Sequence, residues 1–167
     1  VEKNSINYGR KIYTPISDRL VGYDGVKLPF EDNSFDVVTM FDVIEHITNI
    51  DQFIREEVRR VLRECGTLMF QTPNKYTNIP WEIVLHKSLH KYKEYHVSLQ
   101  SYKSLVRLLE GSGFQEILIE KRDICTPYYL LQLKKYLGPL AYPTLLIANK
   151  LPTNCTTNFW GYCRAPK

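Results

Sequence analysis

The sequence predicts an α/β domain organised around a mainly parallel sheet. Short apolar runs alternate with amphipathic helical stretches between residues 20 and 120. One run, Phe35-Asp36-Val37-Val38-Thr39-Met40-Phe41, is apolar enough to be covered on both faces, as parallel strands are. Three expected strands end in polar residues, at Asp24, Phe41-Asp42 and Pro73-Asn74, which places them on one rim of the sheet. Open α/β sheets bind ligands at that carboxyl rim.

Each element follows from its own residues. Leu20-Val21-Gly22-Tyr23-Asp24 reads as a short strand ending in an acid. Leu28-Pro29-Phe30 and the turn Glu31-Asp32-Asn33-Ser34 lead into the strand at 35–41. Thr48 or Asn49 caps the next helix. Its inner stripe is Ile50, Phe53, Ile54, Val58, Val61 and Leu62, with Arg55, Glu56, Arg59 and Arg60 facing out. Gly66 breaks the pattern and Thr67–Thr72 is the next strand, ended by Pro73-Asn74. Residues 75–100 are polar and aromatic, and read as an insertion over the sheet edge, partly helical around Trp81–Leu89. Ser101 caps a helix that turns Leu105, Val106, Leu108 and Leu109 inward and stops at Gly111 and Gly113. Phe114–Glu120 is a further strand. Tyr128–Leu137 and Leu140–Leu151 are apolar helices separated by Gly138-Pro139, and Asn158–Arg164 is the last strand.

Composition narrows the function. At 167 residues, with 44% hydrophobic and 24% charged residues, the chain fits one globular domain rather than a disordered or coiled-coil protein. A net charge of +4 does not point to nucleic acid. The charge is uneven: residues 1–62 hold 8 Lys+Arg and 11 Asp+Glu, and residues 63–167 hold 14 and 7. The basic part also holds most of the tyrosines. It is read either as a solubilised aromatic surface or as a groove for an anionic or lipid-linked substrate. Cys65, Cys125, Cys155 and Cys163 form no CxxC pair, and His86, His90 and His96 show no acidic partner at ligand spacing, so no metal site is expected. The polar start carries no secretory signal and no run is long enough to span a bilayer, so a cytoplasmic location is expected.

Three ordered stretches carry a resemblance. They are Asp24-Gly25-Val26-Lys27-Leu28-Pro29-Phe30-Glu31-Asp32-Asn33-Ser34-Phe35-Asp36-Val37-Val38, then Val43-Ile44-Glu45-His46-Ile47, then Arg60-Val61-Leu62-Arg63-Glu64-Cys65-Gly66. Together with His96-Val97-Ser98-Leu99 and Gly113-Phe114, they resemble the class I methyltransferases that use S-adenosylmethionine, and among them the quinone O-methyltransferase-like group. The resemblance covers residues 1–120. It implies a Rossmann-like methyltransferase sheet, mostly parallel with an antiparallel last strand, and S-adenosylmethionine as cofactor. It implies methyl transfer to a small-molecule or lipid-linked acceptor. A non-catalytic methyltransferase-like binding module or inactive fragment is the rival reading, and a nicotinamide enzyme of similar fold is weaker still.

The resemblance also assigns residues. Glu2 is expected to hold the ribose hydroxyls, or else to be a frayed terminal charge. Asp24, with the backbone of Gly25 and Val26, is expected to receive the adenine amine, the alternative being a turn cap. Phe41, or Met40 if the register slips by one, is expected to face the sulfonium, against an ordinary place in the core. His46 is the candidate general base, against a purely structural Glu45-His46 pair. The Gly-rich turn of the family is not found in the sequence, so the chain is expected to be a single, N-terminally truncated domain over 1–167. The substrate side is expected at 75–100 and in a helical cap at 124–155, read either as a helix pair packed on the sheet or as a peripheral membrane contact through lysines beside apolar helices.

Overall fold

The computed structural model describes residues 3–122 and 126–167. Glu2, expected at the ribose, lies outside the described residues. Helix α1 (Lys3–Ile12) and a 3₁₀ turn at Thr14–Arg19 precede the sheet. Strand β1 (Phe35–Phe41) is followed by a 3₁₀ turn at Ile44–His46. A continuous helical run then comprises α2 (Ile50–Phe53), a π-turn at Ile54–Val58, and α3 (Arg59–Val61). Strand β2 spans Leu62–Pro73. Helices α4 (Lys75–His86), α5 (Tyr92–Tyr95) and α6 (Tyr102–Gly111) lead to β3 (Gln115–Glu120). The helical hairpin α7 (Pro127–Leu137) and α8 (Ala141–Lys150) precedes β4 (Asn158–Arg164).

The sheet order is β1-β2-β4-β3. β1 and β2 are parallel, joined by the crossover helix, while β4 runs antiparallel between β2 and β3. This is the mixed Rossmann-like sheet with an antiparallel last strand that the sequence predicted. The inner stripe of the crossover helix is buried as expected, and meets Leu68, Phe70, Leu105, Leu109, Phe114 and Phe159 in one core. Burial also pushes the Cys163 thiol up to about 12, so it stays protonated. Ser101 caps α6 in a reciprocal pair with Ser104: each hydroxyl accepts the other residue's backbone N–H.

β4 lies close enough to both β3 and β2 to require glycine at one position. A Cβ on Gly161 would lie 2.2 Å from the Leu118 carbonyl oxygen and 2.7 Å from Phe70 Cζ. At the start of β2, Cys65 takes a left-handed φ of 58°, a conformation that favours glycine.

Three expectations are corrected. Residues 20–24 form no strand, because no described strand lies beside them to complete their hydrogen bonds. The Leu20 carbonyl instead accepts from the Arg10 guanidinium. The helix in the insertion covers Lys75–His86 rather than starting near Trp81, because Asn74 caps it by accepting from Tyr76 N–H. Arg60 does not simply face solvent. Its guanidinium donates to the carbonyl oxygens of Phe30 and Leu28 and to the carboxylates of Asp32 and Glu57.

Candidate functional site

The rim begins at the end of β1. Asp42 adopts a left-handed φ of 50° and turns the chain sharply out of the strand. Its N–H donates to both the backbone oxygen of Gln71 (3.1 Å) and that residue's side-chain Oε1 (3.0 Å), which fixes the ends of β1 and β2 side by side. The following 3₁₀ turn places Ile44 in the core and Glu45 directly beneath the rim, 1% exposed. A buried carboxylate needs partners. Glu45 Oε2 accepts from Thr72 Oγ1 at 2.9 Å, and its Oε1 lies 3.9 Å from His46 Nε2.

The insertion closes over this corner. The Lys75 N–H donates to the Gln100 carbonyl, and Asn74 and Gln100 form an isolated parallel bridge, so the two ends of residues 75–100 are tied together. Ser98 N–H donates to the Glu45 carbonyl at 2.9 Å. His46 Nδ1 lies 2.6 Å from the Tyr95 carbonyl, which can only accept, so Nδ1 carries the proton and Nε2 the lone pair in the neutral ring. The His46 and His96 rings are 5.1 Å apart. His96 Nδ1 faces Glu82 Oε1 at 3.8 Å, and the other oxygen of Glu82 is 3.0 Å from His86 Nε2. The expectation that His86 and His96 lack an acidic partner is therefore corrected: α4 supplies Glu82 to both. His90 joins no such cluster among the described residues.

Of the two candidates at the sulfonium position, Met40 is buried in the core and Phe41 is half-exposed on the open side. The strand register turns Met40 inward, into the core place that was its alternative. The Phe41 ring packs against Trp160 at 5.9 Å, and the Arg122 guanidinium lies over Trp160 at 4.8 Å. This aromatic platform draws its residues from β1, β4 and the segment after β3. Asn74, the third expected rim residue, is fully buried and holds the carbonyl oxygens of Asn154 and Thr156, so its role is architectural.

Asp24 forms a turn of its own. Oδ1 accepts from the N–H groups of Val26 (2.8 Å) and Lys27 (2.9 Å). These bonds, the one from Lys27 first, hold the carboxyl below its ordinary range. Gly25 supplies the positive φ of 86° that the turn requires. Val26 N–H is spent on Asp24, so it is not free to recognise a base as expected. The Val26 side chain is exposed. The loop that follows is pinned from below: Leu28 N–H donates to Glu57 Oε2 at 2.7 Å, and Glu57 pairs with Arg60 at 2.8 Å. Arg60 is the residue that sequence reasoning missed. Its spacing from Glu57 was a visible signal, but its reach to the loop was not.

Residues 3–70 match the family model of the methyltransferase domain. A protein of Mycobacterium tuberculosis, named a probable S-adenosylmethionine-dependent methyltransferase, is 36% identical over 91 residues, covering 54% of this chain and 31% of that protein. The chain spans about a third of the length of the curated relatives it matches. Among solved structures, phosphoethanolamine N-methyltransferase 2 of Haemonchus contortus with bound S-adenosylmethionine has a TM-score of 0.59 at 20% identity, covering 94% of this chain and 40% of that one. The [4+2]-cyclase SpnF has a TM-score of 0.61 at 18% identity, covering 99% and 65%. The sheet, the matched residues and these relatives agree: residues 3–70 match the methyltransferase domain, and the fold is similar to that of S-adenosylmethionine-dependent methyltransferases.

Proposed function

We propose that this protein transfers a methyl group from S-adenosylmethionine to a small-molecule acceptor, with the acceptor entering over Glu45, His46 and His96. The observation that carries this reading is the corner itself: a buried carboxylate and two imidazoles at the end of β1, covered by the insertion.

The chain's residues fit the cofactor. The N–H groups of Val26 and Lys27 both engage Asp24 Oδ1, and Oδ2 can accept from an exocyclic amine. Phe41 offers an exposed aromatic face to a sulfonium. Glu2 is placed at the ribose on the resemblance alone. When bound, S-adenosylmethionine supplies an electrophilic methyl group on sulfur. His46 presents its Nε2 lone pair to the acceptor and takes the hydroxyl proton as the oxygen–carbon bond forms and the carbon–sulfur bond breaks. Positioning supplies the larger share of the rate, since well-oriented reactions gain roughly 7–11 kcal/mol.

The acceptor has an apolar part in this reading, and the helical cap meets a membrane surface. Tyr128, Leu131, Tyr136, Leu140, Tyr142 and Ile147 are all exposed on α7, α8 and their junction. Residues 126–151 hold Lys134, Lys135 and Lys150 and no acid. Among the described residues, no helix is long and apolar enough to cross a membrane.

A second reading has its own observation. SpnF, similar in fold, is named a [4+2]-cyclase, so this fold also serves chemistry other than methyl transfer. Incubation with methyl-labelled S-adenosylmethionine and a panel of hydroxylated aromatic and isoprenoid acceptors separates the two. Labelled product that is lost in His46→Ala supports transfer. Cofactor binding with no labelled product supports the second reading.

A further inference from the structure

We propose that Glu45, His46 and His96 form a binding site for a divalent transition-metal ion of the zinc type. One ligand atom from each residue lies within 4.8 Å of the others. Two imidazole nitrogens and one carboxylate oxygen make a borderline donor set. It suits zinc and its neighbours, whereas magnesium and calcium prefer oxygen throughout.

The surroundings orient these donors. His46 Nδ1–H donates to the Tyr95 carbonyl, which leaves Nε2 facing Glu45 Oε1 at 3.9 Å. Glu45 is steadied by Thr72 at its other oxygen. His96 turns Nδ1 toward Glu82, and that atom is buried without a hydrogen bond. A carboxylate behind an imidazole fixes the ring and raises its basicity toward a metal at the opposite nitrogen. At metal–ligand distances of about 2.0–2.2 Å, tetrahedral donors lie roughly 3.3–3.5 Å apart. The corner needs only a small contraction to reach that.

Charge points the same way. Glu45 is buried, and among the described residues its one ion-pair partner is His46. A buried carboxylate with so little compensation gains most from a bound cation. The half-exposed His46 side chain leaves an approach path and an open fourth position. His46 Nε2 cannot hold the ion and take a proton at once, so zinc at this site competes with the base role of the proposed function, and the binding does not rest on that function.

The test is cobalt and zinc titration of the chain with Cys65, Cys125 and Cys155 replaced by serine, so that thiolates cannot contribute. The expected result is one ion per chain, with visible cobalt bands and no thiolate charge-transfer band. His46→Ala and His96→Ala should each weaken binding more than about 100-fold. Glu82→Gln should weaken it by about 10–100-fold, as loss of an outer-shell partner does. His90→Ala should leave it unchanged. Circular dichroism of each variant confirms that it remains folded. Failure to bind, binding indifferent to His46→Ala and His96→Ala, or magnesium bound as tightly as zinc would overturn the site. Zinc binding without methyl transfer would retain the site and remove the methyl-transfer reading. Failure to bind zinc with methyl transfer intact would overturn the site and retain the methyl-transfer reading.

Discussion

Replacing Arg60 tests how the loop after Asp24 is held. Its side chain is 19% exposed, and it donates to Phe30 O at 2.7 Å, Leu28 O at 3.0 Å and Glu57 Oε2 at 2.8 Å. The contact with Asp32 involves a carboxylate that is 70% exposed, and such pairs contribute little. The remaining bonds involve a charged donor and are worth roughly 1.5–3 kcal/mol before water replaces part of them. Arg60→Ala also strands the Glu57 carboxylate with only the Leu28 N–H. We expect a loss of about 3 kcal/mol, or a drop of about 6–12 °C in Tm for a domain of this size. Arg60→Lys should recover less than half, since one ammonium cannot fork to the carbonyls and the carboxylate together. Thermal unfolding followed by circular dichroism reads both. A change below about 2 °C for alanine, or full recovery with lysine, would refute the reasoning. A double-mutant cycle with Glu57→Gln should give a clear coupling between the two residues.

Other outcomes follow from the same structure. The Arg60 hydrogen bond holds Glu57 below its ordinary value near 4.5, so the carboxylate's contribution is complete above that value and fades as pH falls below it. Denaturant midpoints between pH 3 and 6 should show this slope in the native chain and lose most of it in Glu57→Gln. Gly161→Ala should destabilise by about 1–3 kcal/mol or more through overpacking, because its Cβ meets backbone; an unchanged urea midpoint would contradict the register of β4. Cys65→Gly should raise stability by roughly 1 kcal/mol by relieving the left-handed backbone, seen as a higher midpoint. β1 has one unpaired edge among the described residues, with Val37 and Phe41 exposed, so the 167-residue chain should self-associate in sedimentation velocity; a monodisperse monomer would count against this. Vesicles containing anionic lipid should retain the protein through α7 and α8, and replacing Lys134, Lys135 and Lys150 with glutamine should release it.

Local pattern carried most of the fold. The stripe from Ile50 to Leu62, the Ser101 cap and the apolar run at 35–41 are each written within a few residues, and all reappear in the structure. What was not legible depends on distant contacts. The apolar residues at 20–24 look like a strand, but a strand exists only where a neighbour accepts its hydrogen bonds. Arg60 has the spacing of an outward residue, yet the loop 30 residues earlier folds beneath it. His96 meets His46 only because the ends of the insertion are tied at Lys75 and Gln100. In the candidate site, Asp24 and Phe41 were singled out through the resemblance, and the structure places Asp24 in a turn of its own and Phe41 half-exposed at the end of β1. The Glu82 support of His96 was not legible, since it needs residues 75–100 to fold back, unlike the i,i+4 spacing that links Glu82 to His86.

The central claim is that the carboxyl rim takes S-adenosylmethionine and delivers its methyl group over His46. Isothermal titration of S-adenosylhomocysteine into the protein and its Asp24→Ala and Phe41→Ala variants measures this most directly. The account predicts saturable one-site binding, weakened about 2–100-fold by Asp24→Ala, the range set by one hydrogen bond, and weakened also by Phe41→Ala. Unchanged affinity in both variants, or no binding at all, would contradict it.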